Sequence, residues 1–365
     1  MSDSTTSYQV ALLPGDGIGP EVMAAACAVV DATDVPVVWH RFLIGTPAIE
    51  RGESPLPDEV VEAMRKLDVA LKGPVSTPIG RHGFRSVNVA LRKALGTDTQ
   101  VRPSRTFAGL DTPFRNIDLV VIRDTREDIY AGIEFESDSA GAEQVRAVSA
   151  ANECDGGPIP PDSGISLKLI SESASRRIVE FAFRYAREHG RAKVTAVHKA
   201  TVMRATDGLF LDVAREVARQ HPDIEFEDQL VDNVCGKLVQ CPNDYDVLVM
   251  PNFYGDIISD ITAGLTGGIG VSGGVNAGTD HFIFEPAHGT VPKNAGKNVA
   301  NPVAAILSAA MMLRHLGETG AGDRVEAAVR QVIDAGQVLT YDLRRVRPGP
   351  PASTSAFAEA VIAAL

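Results

Sequence analysis

An α/β fold built on a largely parallel sheet is what this sequence predicts, and two observations predict it. Short β-branched runs alternate with longer helical patterns, which is the sign of repeated βαβ units. The chain has 365 residues, 44% hydrophobic and 22% charged, which suffices for two domains with sizeable cores and excludes a disordered or fibrous chain.

Strands are expected at Tyr8–Leu13, Val69–Leu71, Leu119–Ile122, Val194–Val197, Val247–Met250 and Phe282–Phe284. Helices are expected at Pro20–Val30, Val87–Leu95, Ser173–His189, Asp207–Gln220 and Asp256–Gly264. Two stretches interrupt the alternation. Residues 153–164 are too rich in Gly, Pro and Asp for a helix interior and read as an excursion from the sheet, an arm suited to packing on a partner subunit. Gly264 to Gly278 reads as a glycine-rich loop.

Composition removes several classes of partner. Lys and Arg number 35 against 47 Asp and Glu, a net charge of −12, poorly suited to a phosphodiester backbone or an anionic membrane surface. Cys27, Cys154, Cys235 and Cys241 include no CxxC pair, so neither a zinc site nor a disulfide framework is expected. Residues 1–7 lack the features of a secretory signal, and the longest strongly apolar segment, Val303–Leu313, falls well short of the ~20 residues that span a bilayer. A cytoplasmic protein is expected.

Four constellations could carry chemistry. Gly15-Asp-Gly-Ile-Gly-Pro-Glu21 follows a strand and opens a helix, but its spacing is GxGxG and Pro20 removes an amide that a pyrophosphate would need. It reads as a tight turn, not a dinucleotide fingerprint. Residues 81–105 reverse the chain's charge with Arg81, Arg85, Arg92, Lys93, Arg102 and Arg105 against Asp98. Ser86 can cap the helix there, with Asn88 and Arg92 one turn apart on one face, so the segment suits a small polyanion as well as it suits a solvated basic face. Arg123 and His198-Lys199 each lie at a strand's carboxyl edge, where open α/β sheets bind ligands, and Lys199 is a candidate proton carrier there. Asp256 and Asp260, one helical turn apart, would join a third carboxylate such as Asp232 in an oxygen-rich site for Mg²⁺ or Mn²⁺; a solvated helix face is the alternative.

Taken together, the sequence resembles the decarboxylating β-hydroxyacid dehydrogenases, the isocitrate and isopropylmalate dehydrogenase family, from Tyr8 to about Arg345. The most specific match is Asn252-Phe-Tyr-Gly-Asp-Ile-Ile-Ser-Asp-Ile-Thr-Ala-Gly-Leu-Thr-Gly-Gly-Ile-Gly270. Gly15–Glu21, Leu71–Pro74, Glu285–Thr290 and Ala300–Pro302 also match. The resemblance implies that family's α/β fold, which is not a Rossmann fold. It further implies a large domain from 1–98 and 266–365, a small domain from 99–127 and 172–265, and a clasp-like dimerisation arm at 128–171.

Within the family, Arg85-Ser-Val-Asn-Val-Ala-Leu-Arg92 and Arg123-Asp-Thr-Arg-Glu-Asp-Ile-Tyr130 are similar to the bacterial isocitrate form. The resemblance then implies substrate contacts from Lys72, Thr77, Ser86, Asn88, Arg92, Arg102 and Arg123, and catalytic roles for Tyr130 and Lys199. Asp232, Asp256 and Asp260 would hold the metal, with Lys199 and Asp232 supplied by the second subunit of a homodimer. Cofactor contacts carry over to His288, Gly289, Thr290, Asn294 and Asn301, and Lys293, Tyr341 and Arg345 mark NADP use, since NAD users typically place an aspartate where Lys293 stands.

Some positions depart from that pattern. Thr201 replaces an asparagine, Asp124-Thr125 replaces Glu-Asn, Asn294 replaces the tyrosine of NADP enzymes, and Ala300 is the NAD-type residue. The loop from Gly80 to Arg85 is one residue longer and places Arg81 and His82 beside the substrate's distal end. The expected activity is NADP- and divalent-metal-dependent oxidative decarboxylation of a (2R)-hydroxy acid, isocitrate first. The alternatives are a phosphonate-bearing or homologated analogue as substrate, and a non-catalytic regulatory subunit.

Overall fold

The computed structural model describes residues 7–78, 84, 86–152, 156–344 and 349–365. Arg81, His82, Arg85, Cys154 and Arg345 therefore lie outside the described residues.

The strands are β1 (Tyr8–Leu13), β2 (Val37–Arg41), β3 (Val69–Lys72), β4 (Thr99–Arg105), β5 (Asp118–Asp124), β6 (Glu134–Phe135), β7 (Ile165–Ser166), β8 (Lys193–His198), β9 (Glu225–Leu230), β10 (Val247–Met250), β11 (Gly273–Ala277) and β12 (Phe282–Pro286). The helices are α1 (Gly19–Asp31), α2 (Thr46–Ile49), α3 (Asp58–Leu67), α4 (Val87–Leu95), α5 (Ala140–Ala151), α6 (Glu172–Glu188), α7 (Asp207–Ala218), α8 (Val231–Leu238), α9 (Asn252–Thr266), α10 (Val303–His315), α11 (Thr319–Ala335), α12 (Tyr341–Arg344) and α13 (Thr354–Ile362). Ten strands form one sheet in the order β2-β1-β3-β12-β11-β4-β5-β10-β8-β9. Pairing is parallel toward both edges and antiparallel in the middle, where β11 pairs with β12 and β4, and β4 with β5. That central antiparallel block sets the sheet apart from an all-parallel Rossmann sheet.

Alternation along the strands divides the interior. Val10, Leu71, Val101, Ile122, Val194, Val249, Val275 and Phe284 point to one face and share a continuous core with α1, α6, α7, α10, α11 and α13. The other face is apolar only at its ends. Ala11, Leu13, Ala70 and Ile283 pack on α3 and α4 at one end, and Leu119, Val121, Val197, Leu248 and Met250 pack on α8 and α9 at the other. Between those clusters the central strands carry buried Gln100, Asn276 and Glu285 beside Arg102. A polar floor between two apolar ends makes a crevice, and the functional residues gather there.

Three sequence expectations need correction. Gly264–Gly278 is not a loop throughout, because it contains the end of α9 and the central strand β11. Glycine is a weak strand former, but a Cβ at Gly273 would lie 2.8 Å from the Ser308 amide and one at Gly274 would lie 3.1 Å from the Val101 carbonyl. Close approach of α10 and β4 thus selects glycine, and tertiary packing overrides propensity. Helix α9 begins at Asn252, four residues before the expected start, directly after Pro251 at its N-cap. Its first turn holds Phe253, Tyr254 and Gly255, which are poor helix formers, so periodicity revealed only the remainder. Arg123 also lies inside β5, not beyond it.

Residues 156–164 of the predicted excursion fall within a segment that leaves the large sheet, and 153–155 lie outside the described residues. There β6 and β7 pair antiparallel as a separate two-stranded ribbon with α5 between them in sequence. Among the described residues, no helix is long and apolar enough to cross a membrane.

Candidate active site

The Gly15–Glu21 turn is structural, as its spacing implied. Gly15 and Gly17 have φ of +73° and +59°, and a Cβ on Gly17 would lie 2.0 Å from the Thr290 carbonyl. The Ile18 amide donates to that same carbonyl at 2.9 Å. Buried Asp16 accepts from the amides of Thr46 and Ser76 at 2.8 and 2.7 Å, and the Ser76 hydroxyl donates to Thr290 Oγ1 at 3.0 Å. One turn thereby holds the loop before exposed Thr77 against the His288–Thr290 loop.

Ser86 caps α4 as expected, its Oγ accepting from the Val89 amide at 3.5 Å. From this helix Arg92 reaches Glu285 at 3.2 Å, and Lys72 meets the same carboxylate at 2.6 Å while 2% exposed. Asn276 donates to Glu285 at 2.7 Å. Burial opposes the charge on Glu285, but Lys72 and Arg92 outweigh it and hold the carboxyl well below the usual carboxylate range. Sequence reading singled out the two cations and missed the carboxylate that orients both. Its signal was present, a lone glutamate opening the Glu285–Thr290 match after an apolar strand. The Asn88 Oδ1 atom is buried without a partner, and a half-turn of the amide would present its NH₂ group instead, so Asn88 has a free polar end for a ligand.

Across the crevice, Arg102 donates to Ser259 Oγ at 3.1 Å and to Asp260 at 3.2 Å. Buried Arg123 donates to Asn252 Oδ1 at 2.9 Å and pairs with Asp256. Burial lowers the pKa of Arg123 to about 10 against the pull of Asp256. Tyr130, on a short turn after β5, donates its hydroxyl to Asp256 Oδ2 at 2.8 Å. Its pKa is pushed up to about 12 by partial burial and by that hydrogen bond. Burial also works against the Asp256 charge, yet Arg123, the Tyr130 hydroxyl and Arg102 together keep its carboxyl below the ordinary value. At the end of β8, Lys199 Nζ meets Asp232 of α8 at 2.6 Å.

The proton-handling and metal-ligand candidates stand as two groups within one chain. Tyr130, Arg123, Arg102, Asp256 and Asp260 make the first, and Lys199 with Asp232 makes the second. Among the described residues, no three His, Cys, Asp or Glu side chains converge as a metal cluster. Asp256 and Asp260 nevertheless offer exposed carboxylate oxygens one turn apart, a donor set that fits a hard divalent cation completed by further oxygens.

At the crevice's other end, His288 Nδ1 lies 3.0 Å from the Gly289 carbonyl, and its buried Nε2 has no partner. Burial lowers the His288 pKa, so the ring is neutral at pH 7. Exposed Lys293 sits beside Asn294, which donates to the Tyr341 hydroxyl at 3.2 Å, and Asn301 donates to Asp342 at 2.9 Å. A polar, partly cationic rim with an unsatisfied imidazole nitrogen fits an anionic nucleotide.

One departure from the family pattern has a measurable effect. Asp124 Oδ2 accepts from the amides of Arg126 and Glu127 at 3.2 and 2.9 Å, but its buried Oδ1 has no partner. Burial raises its pKa to about 6. The unfolded chain ionises this carboxyl near pH 3.9, so its cost to folding appears above that value and is complete above about pH 6. Asp124→Asn is therefore expected to stabilise the protein by about 3 kcal/mol at pH 7, with the gain vanishing below about pH 4. Denaturant melts at both pH values check this.

An α/β crevice with a carboxylate pair, three arginines and a lysine–aspartate pair suits an enzyme acting on a small polyanion. The family model for isocitrate/isopropylmalate dehydrogenase matches residues 9–361, and the chain belongs to that family. It is a decarboxylating dehydrogenase acting on a CH–OH donor with NAD or NADP. Similar proteins include the human "isocitrate dehydrogenase [NAD] subunit alpha, mitochondrial", 44% identical over 354 residues, covering 96% of this chain and 89% of that one. The Caenorhabditis elegans "probable isocitrate dehydrogenase [NAD] subunit alpha, mitochondrial" is 45% identical over 336 residues, covering 92% and 87%. Among solved structures, isocitrate dehydrogenase from Methylococcus capsulatus superposes with a TM-score of 0.88 at 42% identity, covering 98% of this chain and 99% of that one.

Proposed function

We propose that the protein oxidises and decarboxylates isocitrate with NADP⁺ and Mg²⁺ or Mn²⁺, as a homodimer whose sites are shared between subunits. The observation that carries this reading is the separation of the site into a Tyr130–Asp256 group and a Lys199–Asp232 group, each internally bonded and each lacking what the other supplies. Residues 128–171 would form the clasp between subunits, with 1–98 and 266–365 as the large domain and 99–127 and 172–265 as the small one.

Asp256 and Asp260, with Asp232 from the second subunit, would hold the metal. When bound, the cation would supply Lewis-acid polarisation of the substrate's 2-hydroxyl and neighbouring carboxylate, and the nicotinamide would supply the acceptor for the hydride of C2. Arg92, Arg102 and Arg123 orient the substrate carboxylates, and Ser86 and Asn88 receive the third. The hydroxyl proton leaves toward the Lys199–Asp232 pair. Once the C3 carboxylate has departed as CO₂, Tyr130 delivers its proton to C3. A phenol whose pKa is pushed up to about 12 keeps that proton until a strong base forms beside it. Retention of both proton-handling groups and all three aspartates in bonded pairs argues against a non-catalytic subunit.

NADP⁺ is favoured by the cluster of Lys293, Asn294 and Tyr341, a cation and two polar groups suited to a 2′-phosphate. The second reading, NAD⁺, is favoured by Ala300 and by relatives whose names specify NAD. Steady-state kinetics on isocitrate, isopropylmalate and a phosphonate analogue, with each cofactor and with or without a chelator, tests the whole reading. Isocitrate with NADP⁺ should give the highest kcat/KM, and chelation should abolish turnover until Mg²⁺ or Mn²⁺ is restored. A phosphonate turned over far better than isocitrate would overturn the substrate, and full turnover without a divalent ion would overturn the mechanism.

A further inference from the structure

A buried charge cluster outside the reacting groups ties the two halves of the site together. Lys168 lies two residues past β7, within the arm, its side chain 15% exposed. Its Nζ is 2.7 Å from Asp207 Oδ1 and 3.6 Å from Asp128 Oδ1, and those carboxylates are 0% and 1% exposed. The Tyr254 ring centre lies 4.5 Å from the same ammonium, and the Tyr254 hydroxyl donates to Asp207 Oδ2 at 2.9 Å.

Each carboxylate holds backbone under a proton-handling residue. Asp207 Oδ2 accepts the Lys199 amide at 2.7 Å. Asp128, two residues before Tyr130, accepts the Phe253 and Ile129 amides, both at 2.9 Å. Asp128 also has φ of +70°, a left-handed conformation that a non-glycine residue keeps only when its surroundings enforce it. A single ammonium therefore pairs with both anchors, and without it two buried carboxylates would be left with no cation. None of these side chains is needed to touch substrate or cofactor.

We propose that Lys168 is a positioning residue for the reaction, fixing Tyr130 and Lys199 of one chain through Asp128 and Asp207. This inference rests on the function proposed above. Because Tyr130 and Lys199 of one chain serve different sites of the dimer in that reading, each Lys168 supports one end of both sites.

The test uses the full-length enzyme with isocitrate, Mg²⁺ and cofactor, and reads kcat, KM and thermal unfolding for Lys168→Met. Because an ångström of misplacement costs about 100-fold in rate, kcat is expected to fall by about that factor with KM little changed. A purely structural role predicts instead a kcat that follows the folded fraction. Tyr254→Phe removes one bond to Asp207 while leaving no buried charge, so it keeps the question open to test if Lys168→Met does not fold, and its kcat is expected to fall several-fold. Unchanged kcat in both variants, or a rise in KM alone, would overturn the proposal. In mixed dimers with a single intact site, Lys168→Met should lower kcat from either chain, and an effect from only one chain would overturn the two-ended role. Failure of the wild type to turn over isocitrate would overturn the functional reading itself, before any variant is made.

Discussion

Chains carrying Lys199→Met, inactive alone, are expected to regain activity when mixed and exchanged with equally inactive chains carrying Tyr130→Phe. Each substitution removes a proton-transfer group, so each homodimer should lose about 10²–10⁴ in kcat. In a heterodimer one site receives both defects and the other receives none. Random exchange makes half of the dimers mixed, each with one of two sites intact, so recovery should approach about a quarter of wild-type activity. The basis is geometric. Tyr130 is bonded to Asp256 at 2.8 Å and Lys199 to Asp232 at 2.6 Å, and no three acidic, histidine or cysteine side chains among the described residues of one chain converge as a metal cluster. Sites built wholly within one chain would leave every mixture inactive. Activity after verified exchange, measured by mass spectrometry of the intact dimers, separates the two cases.

Much of this arrangement was legible in the sequence where local chemistry and periodicity agree. Val247–Met250 and Val87–Leu95 occupy the expected bounds because an apolar run and a capped amphipathic helix declare themselves locally. The Gly15–Glu21 turn was readable because proline in place of an amide argues against a phosphate site whatever lies nearby. The central strands were less legible. In β4, Gln100, Arg102 and Ser104 face the crevice while only Val101 joins the main core, so the segment shows little of the apolar run expected of a buried strand. In β11, glycine was selected by the approach of Ser308 and Val101, partners remote in sequence. Glu285, Asp207 and Lys168 escaped notice for a related reason. Each acts on a residue that was singled out, but only the fold shows which charges meet.

Glu285→Gln is expected to destabilise the protein by about 3–5 kcal/mol, the typical cost of removing one partner of a buried ion pair. Glutamine keeps the shape and can still bond Asn276, but it leaves Lys72 and Arg92 as adjacent cations in a site where Lys72 is 2% exposed. Only the Gly73 carbonyl at 3.0 Å would then accept from the Lys72 ammonium. The pH dependence has a definite sign. The Glu285 carboxyl is held well below its unfolded value near ~4.3, so its contribution is complete above that pH and is lost as pH falls below it. Wild type and variant should therefore differ by a constant amount from about pH 5 to 7 and converge in more acidic buffer. A bound polyanion should offset part of the defect, because substrate carboxylates can take up the cations that Glu285 releases. Isocitrate is then expected to raise the melting temperature of Glu285→Gln more than that of the wild type. An equal rise in both proteins would mean that Lys72 and Arg92 do not turn from Glu285 to the substrate, and would remove them from the binding residues.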